Sequence, residues 1–224
     1  RQRAREEVDV LPLQREGFGM PQAECEGHRP AGGVAHMSRG SQDGAGLTEV
    51  EGGTLWLLRD NEGAEKNLRN EAQRRGVDPA RLVFADRALP ADHLARHRLA
   101  DLFLDTLPCN AHTTASDALW TGLPLLTCLG NAFAGRVAAS LNHAAGMADM
   151  VTTSLDEYHA LALKLAREPD RLAAVKSRLA QNRDTCPLFD TVRLARHIEA
   201  AYMTMWERWQ RGEPPASFAV PAQG

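Results

Sequence analysis

Four side chains with chemistry of their own stand close together in His112-Thr113-Thr114 and, three residues on, Asp117. A ring nitrogen and two hydroxyls can donate to an anion. A carboxylate repels an anion and suits a neutral hydroxyl instead. The four lie between an apolar run, Leu102-Phe103-Leu104-Asp105-Thr106, and a helical pattern, Ala118-Leu119-Trp120, closed by Gly122. Strand, loop and helix start therefore follow one another. Thr114 and Asp117 have the T-x-x-D spacing of a capping box, which predicts free helical amides just after Thr114. Amides at the positive end of a helix dipole favour phosphate. The same pattern also describes a capped helix after a parallel strand, with no ligand at all.

A second group is His93, Arg96 and His97. His93 and His97 are one helical turn apart, a spacing that can hold a metal ion, but no H-E-x-x-H glutamate accompanies them. A solvated helix face is the plain alternative. An imidazole and a guanidinium that stack on or bond a nucleobase are a third. Cys25 and His28 have metal-like spacing without a second pair. No G-x-G-x-x-G, G-x-x-x-x-G-K-[ST] or G-x-S-x-G pattern is present, so the usual dinucleotide, P-loop and esterase signals are missing.

The elements that must position these groups begin at Thr54. Thr54 to Leu58 is a buried-strand run, and Glu62 to Arg75 has helical composition stopped by Gly76. Arg81 to Ala85 is a second strand, and Pro90 opens a helix through Leu94 and Leu99. Leu102 to Asp105 and Leu123 to Cys128 are the third and fourth strands, and Met150 to Thr152 a short fifth. Between them, a helix opens at Arg136 and ends near Gly146. Leu155 to Asn182 is helical with a break at Pro169, and Asp190 to Gly212 is helical again. Strands alternating with helices predict a doubly wound parallel α/β sheet with C-terminal helices, whose ligands bind beyond the carboxyl ends of the strands. Residues 1–53 hold ten of the eighteen glycines and show no sustained period, which predicts a loose or disordered segment. The tail from residue 213 to 224 reads as irregular.

A net charge of −3 argues against a general nucleic-acid or membrane-surface binder. No apolar run is long enough to span a bilayer and no signal peptide is visible, so no membrane partner is expected. Four cysteines, without a C-x-x-C pair, suit a reducing cytoplasm. Lysine occurs only at Lys66, Lys164 and Lys176.

Residues from about Leu55 to Trp209 resemble the C-terminal catalytic region of the O-linked N-acetylglucosamine transferases, the family that includes the plant SPINDLY proteins. The matching residues are Leu55-Trp56-Leu57-Leu58-Arg59, His93 with Arg96, and Leu104-Asp105-Thr106. The most specific are Cys109-Asn110-Ala111-His112-Thr113-Thr114 through Asp117-Ala118-Leu119-Trp120, with Gly122 and Pro124. Arg136 to Ser140 and Pro187-Leu188-Phe189-Asp190 continue the match in order. The resemblance implies the second, Rossmann-like half of a GT-B glycosyltransferase over residues 54–212. Such enzymes move N-acetylglucosamine, or fucose in SPINDLY, from a nucleotide diphosphate to protein Ser or Thr hydroxyls without a metal or other cofactor. By position, His112, Thr113 and Thr114 correspond to diphosphate contacts, Asp117 to a ribose contact, and His93 and Arg96 to uridine contacts. The partners implied are UDP-GlcNAc or a related nucleotide sugar and a protein acceptor.

Departures limit what the resemblance carries. Animal members have a lysine where this chain has Pro90. The family also carries an essential lysine just upstream of the strand matched by Thr54 to Leu58, and residues 1–53 contain none. The catalytic residue is therefore unknown, and a leaving diphosphate without that cation is poorly stabilised. The facing N-terminal half and the tetratricopeptide repeats have no counterpart here. The abrupt change at Thr54 suggests that residues 1–53 are a mistranslated frame or wrong start joined to a true domain. Weak or absent activity, a nucleotide-binding module, or a degenerate structural domain are the alternatives to a working transferase.

Overall fold

The structure, a computed structural model, describes residues 34–37, 44–59 and 61–221. Among the described residues, six parallel strands form one sheet in the order β3-β2-β1-β4-β5-β6. The strands are β1 (Val34–Met37), β2 (Thr54–Leu58), β3 (Leu82–Ala85), β4 (Leu102–Leu104), β5 (Leu125–Cys128) and β6 (Val151–Thr152). The chain winds outward from β1 to β3, crosses back, and winds outward again from β4 to β6. The direction reverses between β1 and β4, and ligands of doubly wound sheets bind at such a switch point. The doubly wound parallel sheet expected from the strand–helix alternation is thus the fold of the protein.

Within the segment 1–53, read as loose or mistranslated, the described residues 34–37 and 44–53 contribute β1 and the helix α1 (Gly44–Glu49). β1 is the inner strand that joins the two halves of the sheet, pairing Ala35 with Leu55 on one side and Leu102 on the other. An interior strand gains hydrogen bonds from both neighbours, so four residues without a long periodic pattern suffice. The Cys25–His28 pair lies outside the described residues.

Local signals set the helices that follow. In α2 (Glu62–Arg74), the Asn61 side chain accepts the Ala64 amide at 2.7 Å, and Gly76 leaves the helix at φ 76°. In α6 (Leu155–Arg167), Ser154 accepts from the Glu157 amide. Pro169, on the first turn of α7 (Pro169–Arg183), accounts for the break between the two. α3 spans Pro90–Arg96, α4 Thr113–Trp120, α5 Val137–Ala144 and α8 Thr191–Gln210. Residues 213–221 have no regular structure.

Two hydrophobic clusters fill the interior. The larger is built wholly from residues 100–179, around the fully buried Phe103, Leu125, Leu126, Leu119 and Met147. The smaller takes Leu47, Leu55, Leu57, Ala72, Val77 and Leu82. Leu104 packs against both. α8 instead exposes Leu194, Ile198, Tyr202, Met205, Trp206 and Trp209. No helix among the described residues is long and apolar enough to cross a membrane.

Candidate functional site

The loop from β4 to α4 is fixed from beneath by one buried carboxylate. Asp105 is 3% exposed. Its Oδ1 accepts the Ala111 amide at 2.7 Å and its Oδ2 accepts the Thr127 hydroxyl at 2.6 Å. The Tyr158 hydroxyl donates to the Asp105 carbonyl at 2.9 Å. The carboxylate thus ties the loop to β5, and Tyr158 ties the end of β4 to α6. Burial pushes the Asp105 pKa up, and the hydrogen bonds from Ala111, Thr127 and Thr106 oppose that push. Sequence reasoning missed this clamp, because its partners lie 22 and 53 residues away.

Within the loop, Thr106 donates to the Cys109 carbonyl and Asn110 Nδ2 to the Thr106 carbonyl. The buried Oδ1 of Asn110 has no hydrogen-bond partner. The Asn110 amide reaches across to the Ala134 carbonyl at 2.8 Å, joining this loop to the one after β5. A Cβ on Gly135 would stand 2.9 Å from the Pro108 carbonyl oxygen, so the two loops touch backbone to backbone. Any side chain at residue 135 would force them apart.

The helix start differs in one respect from the capping-box expectation. α4 begins at Thr113, with His112 at the N-cap position, and no side-chain hydrogen bond closes it. Its first backbone bond runs from the Ser116 amide to the His112 carbonyl, so the amides of Thr113, Thr114 and Ala115 precede the ladder. His112 and Thr113 are exposed, while Thr114 and Asp117 are half-buried. His112 Nε2 lies 3.4 Å from the Ala134 carbonyl, and its ring meets the Phe133 ring edge-on at 6.3 Å. Uncapped amides, two hydroxyls and an imidazole therefore open together beside the switch point. That combination can accept a phosphate.

The second predicted group converges on the first from α3. Arg96 is anchored by the Asp86 carbonyl at 2.8 Å and by His93 Nδ1 at 2.7 Å, and its guanidinium lies 5.7 Å from the Trp56 ring centre. Burial and the Arg96 charge hold the His93 pKa below its usual range, against an upward pull from Asp117. His93 on α3 thus feels both the Arg96 guanidinium beside it and the Asp117 carboxylate on α4. His97 does not join them as a metal ligand or a solvated group. It is 1% exposed, and its Nδ1 lies 3.1 Å from Thr121 Oγ1. Among the described residues no three His, Cys, Asp or Glu side chains gather as a metal site.

A model described as "Glycosyl transferase family 41" matches residues 45–198. The chain belongs to that family. It is 41% identical over 175 residues to the Arabidopsis thaliana protein called "Probable UDP-N-acetylglucosamine--peptide N-acetylglucosaminyltransferase SEC". It is 37% identical over 168 residues to the Caenorhabditis elegans UDP-N-acetylglucosamine–peptide N-acetylglucosaminyltransferase. These alignments cover 78% and 75% of this chain but only 18% and 15% of the relatives. Among solved structures, a mutant O-GlcNAc transferase from Thermobaculum terrenum superposes with a TM-score of 0.73 at 28% identity, covering 83% of this chain and 38% of that one. The family 41 match starts ahead of Thr54 and takes in all of α3, α4 and the clamp.

Proposed function

We propose that this family 41 chain is the donor half of a protein O-linked N-acetylglucosamine transferase, which binds UDP-GlcNAc or a related nucleotide sugar for transfer to Ser or Thr hydroxyls. The observation that carries the reading is the exposed, side-chain-uncapped start of α4 beside the sheet's switch point. His112, Thr113 and Thr114 hold the diphosphate, whose charge the helix amides offset without a metal ion. Asp117 accepts from a ribose hydroxyl. His93 and Arg96 contact uridine. The free thiols Cys109 and Cys186 suit a cytoplasmic setting.

Turnover needs more than this chain provides. Its three lysines lie on α2, α6 and α7, none in a loop that follows a strand. That placement favours, as a second reading, a nucleotide-binding module without catalysis of its own. Titration calorimetry with UDP tests the donor site. Binding is expected, with His112→Ala or Thr114→Ala weakening it tenfold or more, about 1.4 kcal/mol. Unchanged affinity in both variants would move the diphosphate elsewhere. Robust glycosylation of a peptide by the purified chain alone would overturn the need for further machinery, and no heat with UDP would leave a structural domain.

A further inference from the structure

Phe133 is 81% exposed, the most exposed large apolar side chain among the described residues. Burial or ligand contact is the ordinary fate of such a ring, because bare aromatic surface is costly in water. Its backbone is nevertheless tightly held. The Phe133 carbonyl accepts from the Arg136 amide at 3.0 Å, Ala132 accepts from Gly135 at 3.0 Å, and Ala134 accepts from Asn110 at 2.8 Å. Gly130 donates to the Gly135 carbonyl at 2.7 Å, closing the loop. The ring therefore sits on a fixed platform.

Its position follows a row of elements. The residues just past α3 and α4 meet, with His97 Nδ1 3.1 Å from Thr121 Oγ1. α4 packs on α5, and the loop bearing Phe133 leads into α5. His93 and Arg96 lie at one end of that row, His112 and Thr113 in the middle, and Phe133 at the other end, edge-on to His112. A ligand with its base at α3 and its diphosphate at α4 continues toward Phe133. The group beyond the diphosphate of a nucleotide sugar is a hexose, whose ring C–H faces are apolar and stack on aromatic surfaces.

We infer that Phe133 is a sugar-recognition residue, an aromatic wall against which the hexose of the donor packs. The inference rests on the donor-site reading above. It assigns Phe133 to the sugar and not to the nucleotide.

Calorimetry on the full 224-residue chain separates the two, with UDP and UDP-N-acetylglucosamine as probes. In Phe133→Ala, affinity for the nucleotide sugar should fall roughly five- to tenfold while UDP affinity stays within about twofold. Phe133→Trp should keep the nucleotide sugar within about twofold of wild type. Because the side chain is exposed, neither change opens a cavity, and unchanged thermal unfolding checks this. Equal losses for both probes, or no loss for either, would overturn the assignment. The latter result would mean that the ring faces a protein surface. If wild-type chain binds neither UDP nor UDP-N-acetylglucosamine, the donor-site reading itself falls, and this assignment with it.

Discussion

Asp105→Ala is expected to lower folding stability by roughly 2–4 kcal/mol and to remove nucleotide binding, whereas Asp105→Asn should change stability by no more than about 1 kcal/mol. The side chain holds two buried donors. Ala111 is 6% exposed and Thr127 is fully buried. Alanine removes the acceptor of both, and a buried donor without an acceptor costs about 1–3 kcal/mol. The Thr127 hydroxyl can rotate toward another acceptor, but the Ala111 amide cannot. The sum is a large share of the roughly 5–15 kcal/mol that keeps a domain folded. Asparagine keeps Oδ1 for Ala111 and offers an amide to Thr127 Oγ1, while removing a charge that burial disfavours. Urea unfolding of the two variants, with UDP calorimetry alongside, measures the difference. Equal destabilisation by Ala and Asn would mean that the charge, and not the pair of bonds, is what Asp105 supplies.

Acid should act on the opposite side of the site. Burial first, then repulsion from His93 and Arg96, lowers the His97 pKa to about 4. The Thr121 hydroxyl donates to the carbonyls of Asp117 and Ala118, each at 2.9 Å, so its lone pair receives the Nδ1 proton of a neutral His97 ring. In the unfolded chain the ring titrates near its usual value of about 6.5. Between pH 6.5 and pH 4 the unfolded state therefore binds the extra proton, and stability falls as pH falls. The full stability is present above about pH 6.5, and the loss reaches roughly 3 kcal/mol at pH 4. His93 shifts in the same direction. Asp105, raised by burial, shifts in the other and partly offsets them. Comparing urea midpoints of wild type and His97→Gln at several values between pH 7.5 and pH 4.5 isolates the ring. The variant should be weaker at neutral pH but lose less on acidification. Parallel curves would place the acid sensitivity elsewhere.

Much of this was legible in the sequence because the signals are local. β2 matched its apolar run residue for residue, α2 ended at a glycine, and Pro169 broke the helix where expected. What escaped depended on distant partners. β1 is a strand because β2 and β4 flank it, not because Val-Ala-His-Met announces one. Thr114 and Asp117 have capping-box spacing, yet α4 starts a residue earlier without a side-chain cap, and the Asp117 charge acts on His93 of another helix. His97 looked like the partner of His93 at helical spacing, whereas the chain enters a 3-10 turn there and buries the ring. Asp105 was visible only as the polar end of an apolar run. A clamp reaching β5 has no signature within five residues of itself.

The two hydrophobic clusters also divide the candidate site into separate units of local opening. The loop of His112 and Thr113 is tied through Asp105 and Thr127 to strands of the larger cluster. Arg96 is anchored on Asp86, just past β3, a strand whose Leu82 belongs to the smaller cluster. Leu104, packed against both, is the apolar link between the two units. A nucleotide held as proposed, by its base at one end and its phosphates at the other, would span that seam. Bound so, it would work as a staple, with part of its binding free energy spent on holding the two units in register.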